Sequence, residues 1–273
     1  MTDAGGLTRR SVLAAAAAVL TAAKAAFPSV AHATAAGGAG RHRLGVCRIG
    51  TAEADVLRTL GRRLSGSMEP LSRAALPAGL DRIVVSLRPL GAPAGDVLAV
   101  TYTLGDTPDL PALLKGLAGV GADEAKVLRR LSDGPAVEQL FGWQDDDIAR
   151  DSPDQHIGTL TAIPLDDASA ATMRDLVREL NAKHVEGLAA RARVVGYFRE
   201  AMALVREDSG QWLYLVYLEL RDLEMRKRLL AYPETPFTSW WSSRFTALVP
   251  NPVLAAAWQQ SKPVISWRRE DAS

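Results

Sequence analysis

The sequence predicts an α+β protein built from two tandem β-α-β-β-α repeats that pack sheet to sheet as an intramolecular α+β barrel. Two apolar segments about 115 residues apart each contain a tyrosine in the same place and a closing aspartate. Tyr102 precedes Trp143 by 41 residues, and Tyr217 precedes Trp258 by the same number. A repeat of this length indicates a duplicated structural unit. Helices cover only one face of such a sheet, so two repeats can bury their remaining faces against each other.

Composition shifts divide the chain into four segments. The boundaries are a leader at 1–35, a first repeat at 43–144, a linker at 145–157 and a second repeat at 158–267.

Elements of the first repeat follow from hydrophobic periodicity. Leu57, Leu60 and Leu64 recur at helical spacing, whereas Ile83, Val85 and Leu87 alternate with polar residues as in a half-buried strand. The predicted strands are 43–50, 82–88 and 96–106, and the predicted helices begin near Thr51, at 109–117 and at 123–131.

The second repeat shows the same order of elements. Its clearest helix, predicted at 166–188, carries an apolar face at helical spacing, and Pro233 ends a later helix. The predicted strands are 158–164, 192–206 and 211–222, and the predicted helices are 166–188 and 221–231.

Three segments of the second half also resemble a known superfamily. They are Lys183-His184-Val-Glu186, Tyr197-Phe-Arg-Glu200 and Leu213-Tyr-Leu-Val-Tyr217. The pattern resembles the dimeric α+β barrel superfamily of ferredoxin-like domains, here fused in tandem, and within it a small uncharacterised family. The resemblance covers about 90 residues and contains no motif that identifies a reaction.

The first 35 residues predict export. Arg9 and Arg10 precede an alanine-rich run that is too short to span a bilayer, and Ala31-His32-Ala33 forms a small-residue cleavage pattern. This order resembles a twin-arginine signal peptide, which implies transport of an already folded protein to a periplasmic or extracellular location.

Composition narrows the choice of partners. The chain carries 32 basic and 31 acidic residues, and loss of the leader would bring its formal net charge to −1. Without a basic stripe, nucleic acid is not an expected partner. We expect no membrane span in the mature chain, and a monomer or weak homodimer. Cys47 is the one cysteine and is predicted to be a buried apolar residue.

Strand alternation selects the candidate site. Tyr217 and Glu219 share the face turned away from the helices. By alignment of the halves, Ser86 and Arg88 correspond to Tyr197 and Arg199, and all four are predicted to point the same way. Either an intersheet cavity binds a ligand there, or the interior is filled and Arg199 pairs with Glu219. The candidates with this orientation are Tyr102, Arg88, Tyr197, Arg199, Tyr217 and Glu219.

His184 and Trp240 are further ligand-binding candidates. Related barrels include haem proteins with a histidine ligand, but His184 lies on the apolar face of its helix and can equally be a core residue. Trp240 is either part of a pocket lid or an anchor of the last helix. No metal-binding motif is present in the sequence, and no cofactor is predicted, with haem as the alternative.

Three functions are compatible with these patterns. The first is an exported protein that binds a small apolar or aromatic molecule between the repeats, with or without catalysis. The second is a haem- or oxygen-dependent oxidoreductase of the barrel type, and the third is a non-catalytic structural or interaction module. The first is the leading interpretation, and the other two are its alternatives.

Export gives the first testable prediction. Replacing both Arg9 and Arg10 by lysine should retain the precursor inside the cell, because the paired arginines are the feature that the export route recognises. Fractionation followed by N-terminal sequencing measures this, and exported wild-type protein should begin near residue 34. Exported protein that still began before Ala14 would contradict the assignment.

Overall fold

The structure is a computed structural model that describes residues 41–89, 97–106, 109–117, 119–147, 157–222, 224–249, 258–261 and 263–269. The predicted leader and most of the predicted linker lie outside these ranges. None of the helices within them has both the length and the apolar character needed to cross a membrane.

The elements follow the predicted alternation of strands and helices. The strands are β1 (His42–Ile49), β2 (Leu80–Pro89), β3 (Val97–Gly105), β4 (Val137–Gln144), β5 (Ile157–Leu165), β6 (Tyr197–Arg206), β7 (Trp212–Leu220), β8 (Trp258–Ser261) and β9 (Pro263–Arg268). The helices are α1 (Thr51–Gly66), α2 (Glu69–Ala75), α3 (Leu110–Gly116), α4 (Ala122–Ser132), α5 (Asp167–Glu179), α6 (Val185–Val195), α7 (Met225–Ala231) and α8 (Pro236–Leu248), with a π-helical turn at Leu180–His184 between α5 and α6.

Two antiparallel sheets form the centre of the molecule. The first has the strand order β1-β3-β2-β9, and the second has the order β4-β6-β7-β5-β8. Their inner faces share one hydrophobic cluster, and Tyr102 of the first sheet stacks on Tyr217 of the second. Helices cover the outer faces, where each sheet has its own core. The prediction of an α+β fold with two repeats packed sheet to sheet is therefore confirmed.

Burial on both faces explains why the central strands are so apolar. Every residue of β3 is buried, because one face meets the helices and the other meets the opposite sheet. On β7, Leu213, Leu215 and Tyr217 join the inner cluster, whereas Tyr214 and Leu218 pack under the helices. The faces of this strand are those that alternation predicts.

The last strand of each half crosses to the other half's sheet. β4 pairs with β6, and β9 pairs with β2. β4 also stays attached to its own half, because the amide of Gln139 accepts from the Leu44 N–H at 3.0 Å and donates to its carbonyl at 2.7 Å. The two halves are interlocked rather than merely stacked.

One predicted boundary is wrong. The segment from Ala192 to Val195 was expected to begin a strand, but it is the last turn of α6. Gly196 ends the helix in the left-handed conformation, with φ of 89°, and its N–H donates to the Ala192 carbonyl. The two valines at the end of α6 have high strand propensity, and helix packing overrides it.

Register shows which positions of the two halves correspond. Tyr102 lies opposite Leu44 and Val84, and Tyr217 lies opposite Leu160 and Ala201, so both occupy the same place on a central strand. The same registers align Arg82 with Arg199, each beside a bulge at the start of its strand. The expected pairs of Arg88 with Arg199 and of Ser86 with Tyr197 are wrong.

The expected match of Trp143 with Trp258 is also wrong. Trp143 faces Glu200 on β6, and the corresponding residue of the first sheet, Ile83, faces Trp267 on β9. Trp267 is thus the counterpart of Trp143. The equal spacing in the sequence misleads because the second half places an additional strand, β8, before the one that crosses over.

Candidate functional site

A fully buried carboxylate lies at the centre of the intersheet space. The Glu219 side chain has no exposed surface, and two guanidinium groups surround it. Arg82 approaches Glu219 Oε1 with Nε at 2.7 Å and Nη2 at 2.6 Å, and Arg199 Nη1 donates to Oε2 at 2.5 Å. The predicted Arg199–Glu219 pair is present, joined by an arginine from the opposite sheet. We call Glu219, Arg82 and Arg199 the ion-pair cluster.

Arg82 ties the ion-pair cluster to the crossing strand β9. Its Nη1 donates to the carbonyl of Trp267 at 2.7 Å and to the hydroxyl of Ser266 at 3.0 Å. Only 1% of the Arg82 side chain is exposed. A charge this deeply buried needs both its counterion and its hydrogen bonds, so the cluster depends on correct placement of both sheets.

Three aromatic side chains extend the series of side-chain contacts that begins at Glu219. Tyr217 donates its hydroxyl to Glu219 Oε1 at 3.2 Å, and its ring stacks on Tyr102 with centroids 4.5 Å apart. The Tyr102 hydroxyl lies 2.9 Å from His42 Nδ1. Burial lowers the pKa of His42 to about 4, and Arg199 and Arg41 add to this effect. The imidazole is therefore neutral near pH 7 and can accept the Tyr102 proton at Nδ1.

The interior around these groups is filled rather than hollow. Buried aliphatic side chains from both sheets surround the tyrosine pair; they include Leu44, Val84, Leu160, Ala201 and Leu215. Tyr102, Tyr217, Glu219 and Arg199 therefore lie in a packed part of the interior. Of the two alternatives, the filled interior describes these four residues.

Two other predicted residues lie apart from this core. Arg88 is half-buried at the far end of β2, where Nη1 reaches the Ala162 carbonyl at 3.4 Å and burial lowers its pKa. Tyr197 points toward the helices, because the bulge between Tyr197 and Arg199 shifts the alternation. Its hydroxyl accepts from Arg191 Nε at 3.3 Å and Nη2 at 3.2 Å, and burial raises its pKa.

His184 and Trp240 contact each other. His184 lies in the π-helical turn, and its ring stacks on the Trp240 indole with centroids 3.8 Å apart. Phe237 packs beside both rings. The pair attaches α8 to the continuous helix formed by α5, the π-helical turn and α6. This contact matches the alternatives to ligand binding, which were a core position for His184 and an anchor of the last helix for Trp240.

A cavity of about 520 Å³ lies on the helix-covered face of the second sheet. We call it the sheet–helix cavity. Its floor is formed by β5, β6 and β7, and its walls by α6, α7 and α8. Its aromatic lining consists of Tyr197, Tyr214, Tyr232, Trp241 and Phe245, and its aliphatic lining includes Ile163, Met202, Val216, Leu218 and Leu229.

Two buried polar atoms of the lining have no hydrogen-bond partner within the described residues. They are Glu200 Oε2 and Tyr214 Oη. Glu200 is 4% exposed and Tyr214 is fully buried. Burial raises the pKa of Glu200 to about 7 despite the opposing charge of Arg191, and burial followed by the charge of Glu200 raises the pKa of Tyr214. Such groups are rare in native cores and mark candidate binding sites.

A larger cavity of about 1050 Å³ lies at one end of the barrel, beside α4 and the β6–β7 turn. Among its charged side chains, Arg48 pairs with Glu207, and Arg130 pairs with Glu53. Inner-face residues of both sheets also line it: Val46, Leu98, Val205 and Leu213. The sheet–helix cavity is the better candidate because its lining is aromatic and its polar groups lack partners.

Sequence reasoning missed the residues that distinguish this cavity. Glu200 belongs to a segment that carries only the resemblance, and Tyr214 lies on the face of β7 that strand alternation assigns to packing under the helices. One available indication was a carboxylate directly before the apolar run Ala201–Val205 of β6, where a buried charge requires a reason. Arg82 was also missed, although it shares a predicted face with Ser86 and Arg88.

Comparisons with known proteins give distant likenesses only. No model of a protein family matches the chain, and no curated protein matches it either. The chain is similar to a candidate monooxygenase from Fusobacterium nucleatum (7% identity, TM-score 0.44, covering 84% of this chain and 95% of that one). It is also similar to a candidate monooxygenase from Lactobacillus acidophilus, with 12% identity and a TM-score of 0.41, covering 84% of this chain and 97% of that one. An anthrone oxidase-like protein is similar with 14% identity and a TM-score of 0.41, covering 86% of this chain and 97% of that one. Similarity at this level carries no information on activity.

The ion-pair cluster gives a stability prediction. Glu219→Ala should lower the free energy of unfolding by about 3–5 kcal/mol, because it leaves two guanidinium groups buried without their carboxylate. Tyr217→Phe should cost only about 1 kcal/mol, since it removes one hydrogen bond. Chemical denaturation measures both values. The triple change Arg82→Met, Arg199→Met and Glu219→Leu is the control and should recover most of the loss. A cost below about 1 kcal/mol for Glu219→Ala contradicts this assignment.

Glu200 gives a prediction of pH dependence. Its pKa is raised in the folded state, from 4.5 to about 7, so its contribution to stability is present below pH 4.5 and is lost as the pH rises through 7. Between pH 4 and pH 8, the free energy of unfolding of Glu200→Gln relative to wild type should therefore rise by about 3 kcal/mol. Denaturation at a series of pH values measures this difference.

The same substitution at an exposed position controls for nonspecific effects. The side chain of Glu69 is 61% exposed, and the free energy of unfolding of Glu69→Gln should follow that of the wild type between pH 4 and pH 8. His42 has the opposite influence, because its lowered pKa reduces stability as the pH falls from 6.5 toward 4. That influence cancels in the difference, since all three proteins retain His42. If the difference in free energy of unfolding between Glu200→Gln and wild type stays constant with pH, the pKa of Glu200 is not raised.

Proposed function

We propose that this protein binds a small, largely apolar aromatic molecule in the sheet–helix cavity. The observation that carries the proposal is the cavity itself, about 520 Å³ with an aromatic and aliphatic lining and two unpartnered buried polar atoms. Small-molecule sites typically enclose roughly 300–1,000 Å³ and combine such a lining with a few polar groups. This cavity lies under the helices, whereas the ligand-binding alternative from the sequence lies between the sheets.

Aromatic contacts within the cavity favour a flat ligand. The Trp241 and Phe245 rings stack with centroids 5.2 Å apart, and Tyr214 lies 6.2 Å from Phe245. A planar ring entering between these side chains would gain offset-stacked or edge-to-face contacts in addition to burying its surface. The guanidinium of Arg191, which lines the cavity, lies over the rings of Phe237 and Tyr197, at 5.2 and 5.9 Å from their centroids. These cation–π contacts help to fix its position.

Acid–base chemistry in this cavity is the second candidate function. A buried carboxyl group whose pKa is about 7 can accept or donate a proton at neutral pH, as a general acid or base must. An oxidoreductase of the dimeric α+β barrel type would use such a group on a bound aromatic substrate.

Haem ligation by His184 is a separate proposal, and a Soret band in the absorption spectrum of purified protein would support it.

Filling the cavity tests the proposed function. Val216 lines the cavity and is half-buried, so Val216→Trp should occupy the space with an indole and weaken binding of naphthalene-sized probes at least ten-fold. Titration calorimetry and ligand-induced shifts in Tm measure the effect. Val194→Trp is the matched control, because Val194 lies on the exposed face of α6 with 47% exposure, and it should bind as wild type does. Either unchanged binding by Val216→Trp or no binding by wild type contradicts the proposal.

A further inference from the structure

The two halves of the molecule differ at the positions of the unpartnered groups. Glu200 on β6 corresponds in register to Ile83 on β2, and Tyr214 on β7 corresponds to Ala99 on β3. In the first half both positions are apolar and pack in the core under the helices. The fold therefore does not require a polar side chain at either place. Only the second half carries a carboxyl group and a phenol there.

The charges around Glu200 restrict which ligand group can meet it. Arg191 of α6 is the neighbouring cation, and Tyr197, Tyr214 and Tyr232 are the neighbouring phenols, from β6, β7 and the segment after α7. Glu234 is a second carboxylate of the lining. A ligand ammonium would place another cation beside Arg191. A ligand carboxylate would place another anion beside Glu200. Buried like charges are unfavourable in both cases.

A neutral hydroxyl group avoids both conflicts. It donates one hydrogen bond and accepts others, so it can satisfy a carboxylate acceptor such as Glu200 Oε2 without adding charge. The Tyr214 hydroxyl can donate to an oxygen of the same ligand. A group left unsatisfied in a buried site weakens binding strongly, which makes such a site selective for ligands that provide the missing partner.

We propose that the sheet–helix cavity selects hydroxylated aromatic molecules, with the ligand hydroxyl donating to Glu200 and Tyr214 making the second polar contact. This inference rests on the proposed function and specifies the class of ligand. Glu200 and Tyr214 are then the specificity-determining residues, and the surrounding aromatic lining provides affinity without selecting among rings.

Three probes of the same ring size test the inference: 1-naphthol, naphthalene and 1-methoxynaphthalene. Wild-type protein at pH 8 should bind 1-naphthol at least about ten-fold more tightly than either reference compound, because only naphthol carries the donor. From pH 6 to pH 8 its affinity should rise as Glu200 ionises, whereas binding of the reference compounds should stay constant. Titration calorimetry measures each affinity.

Two variants assign the preference to the named residues. Glu200→Met, which keeps a side chain of similar length, should reduce the preference for 1-naphthol to about two-fold or less and remove its pH dependence. Tyr214→Phe, which removes only the hydroxyl, should reduce the preference several-fold and keep the pH dependence. The affinity of each variant for 1-naphthol is compared with the affinity of the same variant for naphthalene, so a general loss of binding does not count as a loss of preference.

The outcomes separate this inference from the proposed function. If wild type binds all three probes with equal affinity, the cavity binds aromatics and the hydroxyl selectivity is wrong. If the preference survives Glu200→Met, the assignment of Glu200 is wrong. Tighter binding of 1-naphthoic acid that strengthens as the pH falls would overturn the inference in favour of an anionic ligand. If no probe binds, the proposed function fails and the inference fails with it.

Discussion

The buried carboxylate of Glu219 is the point on which the arrangement of the two sheets depends. It lies on β7 of the second sheet, and Arg82 reaches it from β2 of the first. Arg82 also donates to the carbonyl of Trp267 on the crossing strand β9. Buried charges are tolerated only when their partners are correctly placed. A shift in the register of either sheet, or a failure of β9 to cross over, would leave at least one of these charges without its partner.

The surroundings of this cluster differ from those of the sheet–helix cavity. The tyrosine pair and the aliphatic side chains around the cluster fill the centre of the space between the sheets. In the second half, the sheet–helix cavity lies on the opposite face of the sheet, under α7 and α8. The two halves therefore differ at equivalent positions under their helices. The first packs its helices on Ile83 and Ala99, whereas the second holds Glu200 and Tyr214 at the equivalent positions.

The energetic character of the two buried carboxylates supports this division. Glu219 has two guanidinium partners and a tyrosine hydroxyl, so it contributes to a satisfied network. Glu200 has a raised pKa because burial removes water from a group whose Oε2 atom has no hydrogen-bond partner in the described part of the chain. A protein optimised for stability alone would not retain a group of this kind, and such departures are typical of functional sites.

The amino-acid sequence by itself determined the α+β class, the duplication and the faces of β7, because hydrophobic periodicity and the spacing of Tyr102 and Tyr217 are local properties of the chain. It also indicated the Arg199–Glu219 pair. Tertiary structure decided what local patterns cannot encode. The bulge after Tyr197 reverses the direction of that side chain. Helix α6 continues through a segment with strand-like composition and ends only at Gly196. The exchange of β4 and β9 made Trp267, not Trp258, the counterpart of Trp143. The cavity beside Glu200 exists because helices from distant parts of the sequence converge there without filling the space, and no periodicity within one strand reports how well other elements pack against it.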